Sequence, residues 1–546
     1  MIKFDYSNAE KLKEYYLTEE KALFFDFDIK LDHLDEGYKK ALPKLIKALQ
    51  IIDTLFLIQD HPQSLEVKNK LIDDYVNSVT GADVYLDLFN IFNGPERIDD
   101  ENNTIKFFDG IKDRPRGGTV YPEDVNTEEL KKYFENETEI SKRNTIVRRL
   151  NNNFTAVTFE KEYFDHLKEA SQLLESASND IKDKEFSQYL KSRSKALLSG
   201  DYFSSEIDWI NSVNSPIDLT IGLLEEYEDR LFSKKAFYSG LLCVKNPVES
   251  DKVSEYINHL QELENSLPQD IKLAKDMKKI NVPVSVVDVL FMAGDLQAKK
   301  PGMIVAQTLP NDEKIIQQHG RKILIYKNIL EGMKPNQEVL DKLIDKKLHV
   351  YCNQKGNINF TIGHEVGHSL GLKLSLKKDD KGNRIPVDSA LGFYQGIIEE
   401  LKADLVSLHN APYLLKQGLY SETEAKEIYT YGGLRGNLQL NKPNIEKDTH
   451  AVGRLIKFNY FLKNKALLFD GSKFSLDFDK LIEANDSLLK EILIIQANGD
   501  IKAAEEFTNK WGNWSDEAKY VSEVAKKCKI KIYKVVKQST AEKLLN

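Results

Sequence analysis

Three cysteines in 546 residues, Cys243, Cys352 and Cys528, are too few and too scattered to staple a scaffold, and no CxxC pair occurs. That spacing argues against a thiolate metal cluster and suits a reducing compartment. Long apolar runs are missing too. No stretch approaches the ~20 apolar residues of a membrane-spanning helix. The opening MIKFDYSNAEKLKEYYL lacks the uninterrupted apolar segment of a secretory signal. Nor is there a stripe of Lys and Arg. The formal net charge is -9, which removes the usual electrostatic reason to expect a nucleic-acid partner. Basic pairs such as Arg148-Arg149 and Lys526-Lys527 read as solvated faces. Internal repeats and low-complexity linkers are absent. The expectation is a cytoplasmic protein with neither membrane nor nucleic acid as a partner.

What is present is ordinary globular material, 41% hydrophobic and 30% charged. At roughly 100–200 residues per domain the chain suits two or more lobes. The first ~210 residues read mainly as helices, with apolar residues at 3.6-type spacing in YKKALPKLIKALQIIDTLFLI and KEYFDHLKEASQLLESA. After Pro216 the texture changes. DLTIGLLEEY, KAFYSGLLCVK, VPVSVVDVLFMAG, GMIVAQTLP and RKILIYKN are rich in β-branched and aromatic residues and bounded by turn formers, which predicts five strands. KIKIYKVVK near the C-terminus is a candidate to complete that sheet or barrel. From KPNQEVL onward the chain returns mostly to helix, giving an α+β architecture.

The chemistry concentrates in TIGHEVGHSLGL at 361–372. His364 and His368 lie four apart, so on a helix both imidazoles share one face and can bind one metal ion. Glu365 follows the first histidine, where a carboxylate can take a proton from the attacking water. Gly363 and Gly367 are poor helix formers, and their small size lets another backbone come close. A hydrolytic site of this kind needs a third protein ligand. The HExxHxxGxxH pattern fails to supply it, because position 374 is Leu although Gly371 is in place. IIEELKADLVSLH offers carboxylates instead: Ile397, Ile398, Leu401, Leu405 and Leu408 mark a buried face, with Glu399, Glu400 and Asp404 among them. Acidic groups amid such spacing need a cation or hydrogen-bond donor. Neighbouring helical residues point ~100° apart, so one glutamate can bind metal while the other orients a histidine.

HEVGH followed by EELKAD resembles the signature pair of the dipeptidyl peptidase III family, M49, whose pattern is HExxGH followed by EExRAE or EExRAD. The likeness extends to Asp388-Ser389 upstream of Glu399, to IGLLEEYEDR at 221–230, to LPND at 309–312 and to THAVGRLI at 449–456. The resemblance implies zinc, one ion per chain, held by His364, His368 and Glu400, with Glu365 as base. It implies that Glu399, Asp404 and Asp388 fix histidine tautomers, and that Tyr227 and His450 steady the oxyanion with Arg454 nearby. Glu225 and Asn311 would hold the substrate's free ammonium group. The implied fold is two lobes around a wide cleft, a mostly helical upper zinc lobe and a lower lobe with a five-stranded β-barrel plus helices. Residues 1–245 and 285–332 would form the lower lobe, 246–284 and 333–524 the upper, with 525–546 returning to the lower. The sequence departs from the pattern at HEVGH, one residue short of the family's motif, at Thr308, where the family has Asn, and at Lys402, where it has Arg.

The activity implied is release of dipeptides from the free N-termini of oligopeptides. Two other readings stay open: an endo- or aminopeptidase on the same metal site, and a peptide-binding protein with little turnover.

Overall fold

A computed structural model describes the chain apart from residues 1, 3, 19–21, 99–103, 137, 152, 227, 270–282, 298–302, 441, 444–447 and 529–532. The fold is a helix-rich α+β arrangement around one five-stranded sheet.

Helix α1 (Glu36–Asp60) starts where the Asp35 carboxylate accepts from the backbone N–H groups of Gly37 and Tyr38. Its 3.6-residue periodicity buries Leu42, Leu45, Leu49, Ile52 and Phe56. It packs against α2 (Phe164–Asp180) and the sheet. Helix α3 (Lys184–Ser199) follows, capped by Asp183 and ended by Gly200 in the left-handed region.

The five strands are β1 (Ile217–Glu225), β2 (Phe237–Lys245), β3 (Val284–Gly294), β4 (Ala306–Leu309) and β5 (Lys322–Tyr326). Their order is β1-β2-β3-β5-β4, antiparallel except for β3 with β5. All five sequence-predicted strands are therefore present. β1, β2 and β5 are buried on both faces, which explains their continuous apolar runs. The sheet separates two apolar cores. Leu324 and Tyr326 face the core built by α1 to α3 and by Ala541 near the C-terminus. The alternate residues Ile323 and Ile325 face a second core running from Val253 to Val521.

The sheet curves into a half-barrel. Edge strands β1 and β4 come together through Thr220, whose hydroxyl donates to Gln307 Oε1 at 3.4 Å, and Tyr326 donates to the same oxygen at 3.0 Å. Inside the curve Lys322 of β5 pairs with Asp218 of β1, both fully buried. Trp209 Nε1 adds a hydrogen bond to Asp218 at 2.9 Å.

Two sequence expectations need correcting. The C-terminal strand does not complete this sheet: Tyr533–Lys537 pairs in parallel with Ala22–Asp26 in a separate two-stranded sheet. The first ~210 residues also contain more than helices. Thr145–Leu150 and Asn153–Thr158 form an antiparallel hairpin, and Glu96–Ile98 pairs with Thr104–Lys106. Charged residues such as Arg148 and Arg149 hide the strand pattern of the first hairpin. Among the described residues no helix is long and apolar enough to cross a membrane.

Lys322→Met strands the Asp218 carboxylate in the sheet interior and is expected to lower unfolding free energy by roughly 3–5 kcal/mol. Denaturant titration measures it, and adding Asp218→Asn to the same chain is expected to recover part of the loss.

Candidate metal centre

Helix α4 (Gln354–Gly367) begins with the Asn353 side chain accepting from Gly356 N–H and carries HEVGH in its last turn. It lies against α5 (Gln395–Lys416). A methyl group on Gly363 would stand 2.3 Å from Ser407 Oγ, and one on Gly367 2.9 Å from the Ala403 carbonyl oxygen. Both distances are shorter than contact, so only glycine permits this approach. Ser407 reinforces it by donating to the Phe360 carbonyl at 2.8 Å. Glu399, Glu400 and Asp404 of α5 are thereby brought up to the two histidines.

The Nε2 atoms of His364 and His368 are 3.2 Å apart. Glu400 Oε2 lies 3.3 Å from the first and 3.6 Å from the second. The Glu400 oxygen is buried, and among the described residues its neighbours are imidazole nitrogens rather than a lysine or arginine. Three ligand atoms thus converge on one point, the arrangement a single divalent ion would bridge. The other ring nitrogens are committed. His364 Nδ1 lies 2.7 Å from Asp404 Oδ1, and His368 Nδ1 lies 3.1 Å from Glu399 Oε1. An ionised carboxylate can only accept, so each Nδ1 carries the hydrogen and each Nε2 lone pair is left for metal.

The two orienting carboxylates are themselves held. Buried Lys402 donates to Glu399 at 2.7 Å and to the Leu370 carbonyl at 2.8 Å. Gln496, on α7 (Phe478–Asn498), donates to the other Glu399 oxygen at 3.0 Å. Buried Lys457, on α6 (Thr449–Lys463), lies 2.6 Å from Asp404 Oδ2. Burial works against charge on Glu399, but Lys402 and His368 overcome it and hold the carboxyl well below the usual range. Asp404 is lowered likewise, against burial, by Lys457 and His364. Burial also opposes charge on His364, yet Asp404 and Glu400 raise it well above the ordinary histidine value.

Around this centre stand most of the other sequence candidates. His450 opens α6 at the rim, its side chain 59% exposed, with Nδ1 3.2 Å from Glu400 Oε2. Glu365 accepts a hydrogen bond from the Thr308 hydroxyl of β4 at 2.8 Å. At the end of β1, Glu225 accepts from the Asn311 amide at 3.2 Å. Arg454 lies one turn beyond His450, half-buried, with an Nε that finds no acceptor among the described residues. Tyr227 lies outside the described residues. Asp388 corrects an expectation. Its side chain is exposed and accepts from Gln395 at 2.6 Å. Both histidine Nδ1 atoms are already taken by Glu399 and Asp404, so no ring nitrogen is left for it. Sequence reading passed over Lys457 and Gln496. Lys457, within the apolar stretch LIKFNY, carried the only cue.

His364's folded value lies above its unfolded value of about 6.5. In the metal-free protein its charge therefore contributes stability that is fully present below about pH 6.5 and is lost as pH rises through the folded value. Metal needs the neutral ring and competes with that proton. The rise in unfolding midpoint on adding Zn2+ is expected to grow between about pH 5.5 and 8, read from thermal scans with and without the ion. Asp404→Asn is expected to weaken metal affinity by about 10–100-fold in competition with a chelator.

Comparison with known proteins agrees with this geometry. Residues 123–393 match the family model described as Peptidase family M49. A solved structure of dipeptidyl peptidase III from Caldithrix abyssi superposes with a TM-score of 0.84 at 26% identity, covering 98% of this chain and 100% of that one. Dipeptidyl-peptidase III from Corallococcus sp. strain EGB superposes with a TM-score of 0.77 at 25% identity, covering 99% of each. An Arabidopsis thaliana protein named Nudix hydrolase 3 is 27% identical over 582 aligned positions, covering 95% of this chain and 73% of that protein. Joined to the His-His-Glu centre, these likenesses place the chain in peptidase family M49, the dipeptidyl peptidase III family, as a metallopeptidase.

Proposed function

We propose that the chain is a zinc-dependent exopeptidase that releases dipeptides from the free N-termini of oligopeptides. The observation that carries the zinc assignment is the triangle of ligand atoms, with edges of 3.2, 3.3 and 3.6 Å. Bonds of ~2.0–2.1 Å to one tetrahedral zinc place its ligand atoms about 3.3 Å apart. Two imidazoles and one carboxylate also suit zinc better than a harder cation. His364, His368 and Glu400 would hold the ion, one per chain. When bound, zinc supplies Lewis-acid polarisation at the scissile carbonyl and makes a nearby water more acidic.

The remaining steps belong to side chains. Glu365 takes the proton of the attacking water and passes it to the leaving amine. Tyr227 and His450 donate toward the oxyanion as it develops, and Arg454 lines the same region. Glu225 and Asn311 receive the substrate's ammonium group. Burial and neighbouring Glu226 raise the Glu225 carboxyl, opposed by the Asn311 hydrogen bond, so this carboxylate gains from a cation. Anchoring the amine at a set distance from the metal determines which bond is cut, and dipeptides follow from that distance.

Two lobes around a cleft fit the two apolar cores. The proposed boundaries are 1–245 and 285–332 for the lower lobe against 246–284 and 333–524 for the upper, with Val286, Ile323, Ile325 and Leu330 of the 285–332 segment packing into the second core, and Ala541 in the first core supports the return of 525–546. Completion of the half-barrel into a closed five-stranded barrel belongs to the same proposal. Three unpaired, buried cysteines suit a cytoplasmic setting.

The test is mass spectrometry of products from a free-amine octapeptide and its N-acetylated twin, with metal-stripped protein as control. Stepwise loss of two residues from the free peptide alone, restored by zinc, is the expected result. Cleavage of both peptides would discard the amine anchor, and cleavage of neither would favour a peptide-binding protein. Glu365→Gln, with zinc retained, is expected to lower kcat by roughly 10²–10⁴-fold.

A further inference from the structure

A side-chain hydrogen bond links the sheet to Glu365 of the metal-site helix. Thr308 stands opposite Ile323 in the β4–β5 register. Alternation along these strands turns Leu309 and Leu324 into the first core and Ile323 and Ile325 toward the second. Thr308 shares the second face, and its hydroxyl reaches Glu365 Oε2 at 2.8 Å. Among the described residues this is the one hydrogen bond made by the Glu365 carboxylate. The donor is stiff. Thr308 is β-branched and restricted at χ1, and it sits on a strand paired with β5. The acceptor is a long, half-buried side chain with no other anchor of this kind.

We propose that Thr308 is a positioning residue for peptide hydrolysis, its hydroxyl fixing the orientation of the Glu365 carboxylate. This inference rests on the reading of Glu365 as proton acceptor. With Oε2 engaged by the hydroxyl, Oε1 keeps its lone pairs for the proton of the attacking water. Donor and metal ligands come from different parts of the fold. The second core supplies the ligands, and an edge strand of the sheet supplies the group that aims the base. A base that is otherwise free to rotate would spend part of its time misdirected, and misplacement of about 1 Å can cost 10²-fold in rate.

The experiment compares Thr308→Val, which keeps the shape and removes the hydroxyl, with Thr308→Ser, which keeps the hydroxyl, in the full zinc-loaded chain. Steady-state kinetics use the free-amine octapeptide. Zinc content and the unfolding midpoint are measured alongside, and crystal structures show the Glu365 rotamer. Thr308→Val is expected to lower kcat by about tenfold. KM, zinc content and midpoint should stay close to wild type, with Glu365 turned away from its wild-type orientation. Thr308→Ser should recover most of the rate. In a Glu365→Gln background Thr308→Val should cause no further loss, because the two changes remove one shared interaction. Wild-type kcat in Thr308→Val, with Glu365→Gln inactive, would overturn the role of Thr308 and leave the base intact. A change confined to KM, zinc content or midpoint would also overturn it, in favour of substrate binding or a structural tether. Normal turnover in Glu365→Gln would overturn the underlying reading itself.

Discussion

The close approach of two helices at Gly363 and Gly367 governs the metal centre. Ser407 and Ala403 occupy the space that side chains at those glycines would need. Glycine costs a helix up to ~1 kcal/mol per residue relative to alanine, and here it sits in the turns that carry both histidines. What the fold gains is distance. Only at this separation does one helix present three carboxylates within hydrogen-bonding or metal-binding reach of two imidazoles on the other. A larger side chain at either glycine would spread the ligand triangle before it touched any ligand directly.

The charge balance of the centre follows from that proximity. Glu399, Glu400 and Asp404 share a small, half-buried volume, and carboxylates packed so tightly repel one another. Lys402 and Lys457, nearly inaccessible to solvent, offset two of them. Each lysine is satisfied by the carboxylate that orients a histidine. The third carboxylate, Glu400, meets the two Nε2 atoms and His450 instead of a lysine. A divalent cation is the partner left for it. Metal affinity and helix packing are thus parts of one electrostatic arrangement, with the lysines as its outer layer.

Much of this was legible in the sequence because it lies in short patterns with a fixed physical meaning. HEVGH needs only helical geometry to bring its imidazoles together, and EELKAD needs only the ~100° step to divide ligand from orienting group. Strands β1, β2 and β5 announced themselves because they are buried on both faces and their apolar runs are continuous. What stayed hidden depends on long-range packing. No local rule tells that Lys457 reaches Asp404, or that Thr308 crosses from the sheet to Glu365. Asp388 was misplaced for the complementary reason: its position in the chain matched a pattern, but its helix turn faces solvent and the ring nitrogens were already occupied. The hairpin at 145–158 was obscured by arginines that neutralise exposed acids instead of marking a helix face.

The parallel pairing of Ala22–Asp26 with Tyr533–Lys537 has a consequence for the order of assembly during synthesis. The core that contains the first helices cannot close until its partner strand and Ala541 have been made, and both follow every residue of the second core in the chain. The metal-site core, which ends at Val521, is complete earlier. The core that holds the early helices is therefore completed after the metal-site core, and those helices wait with apolar faces uncovered, the stretch of time in which such chains depend most on chaperones.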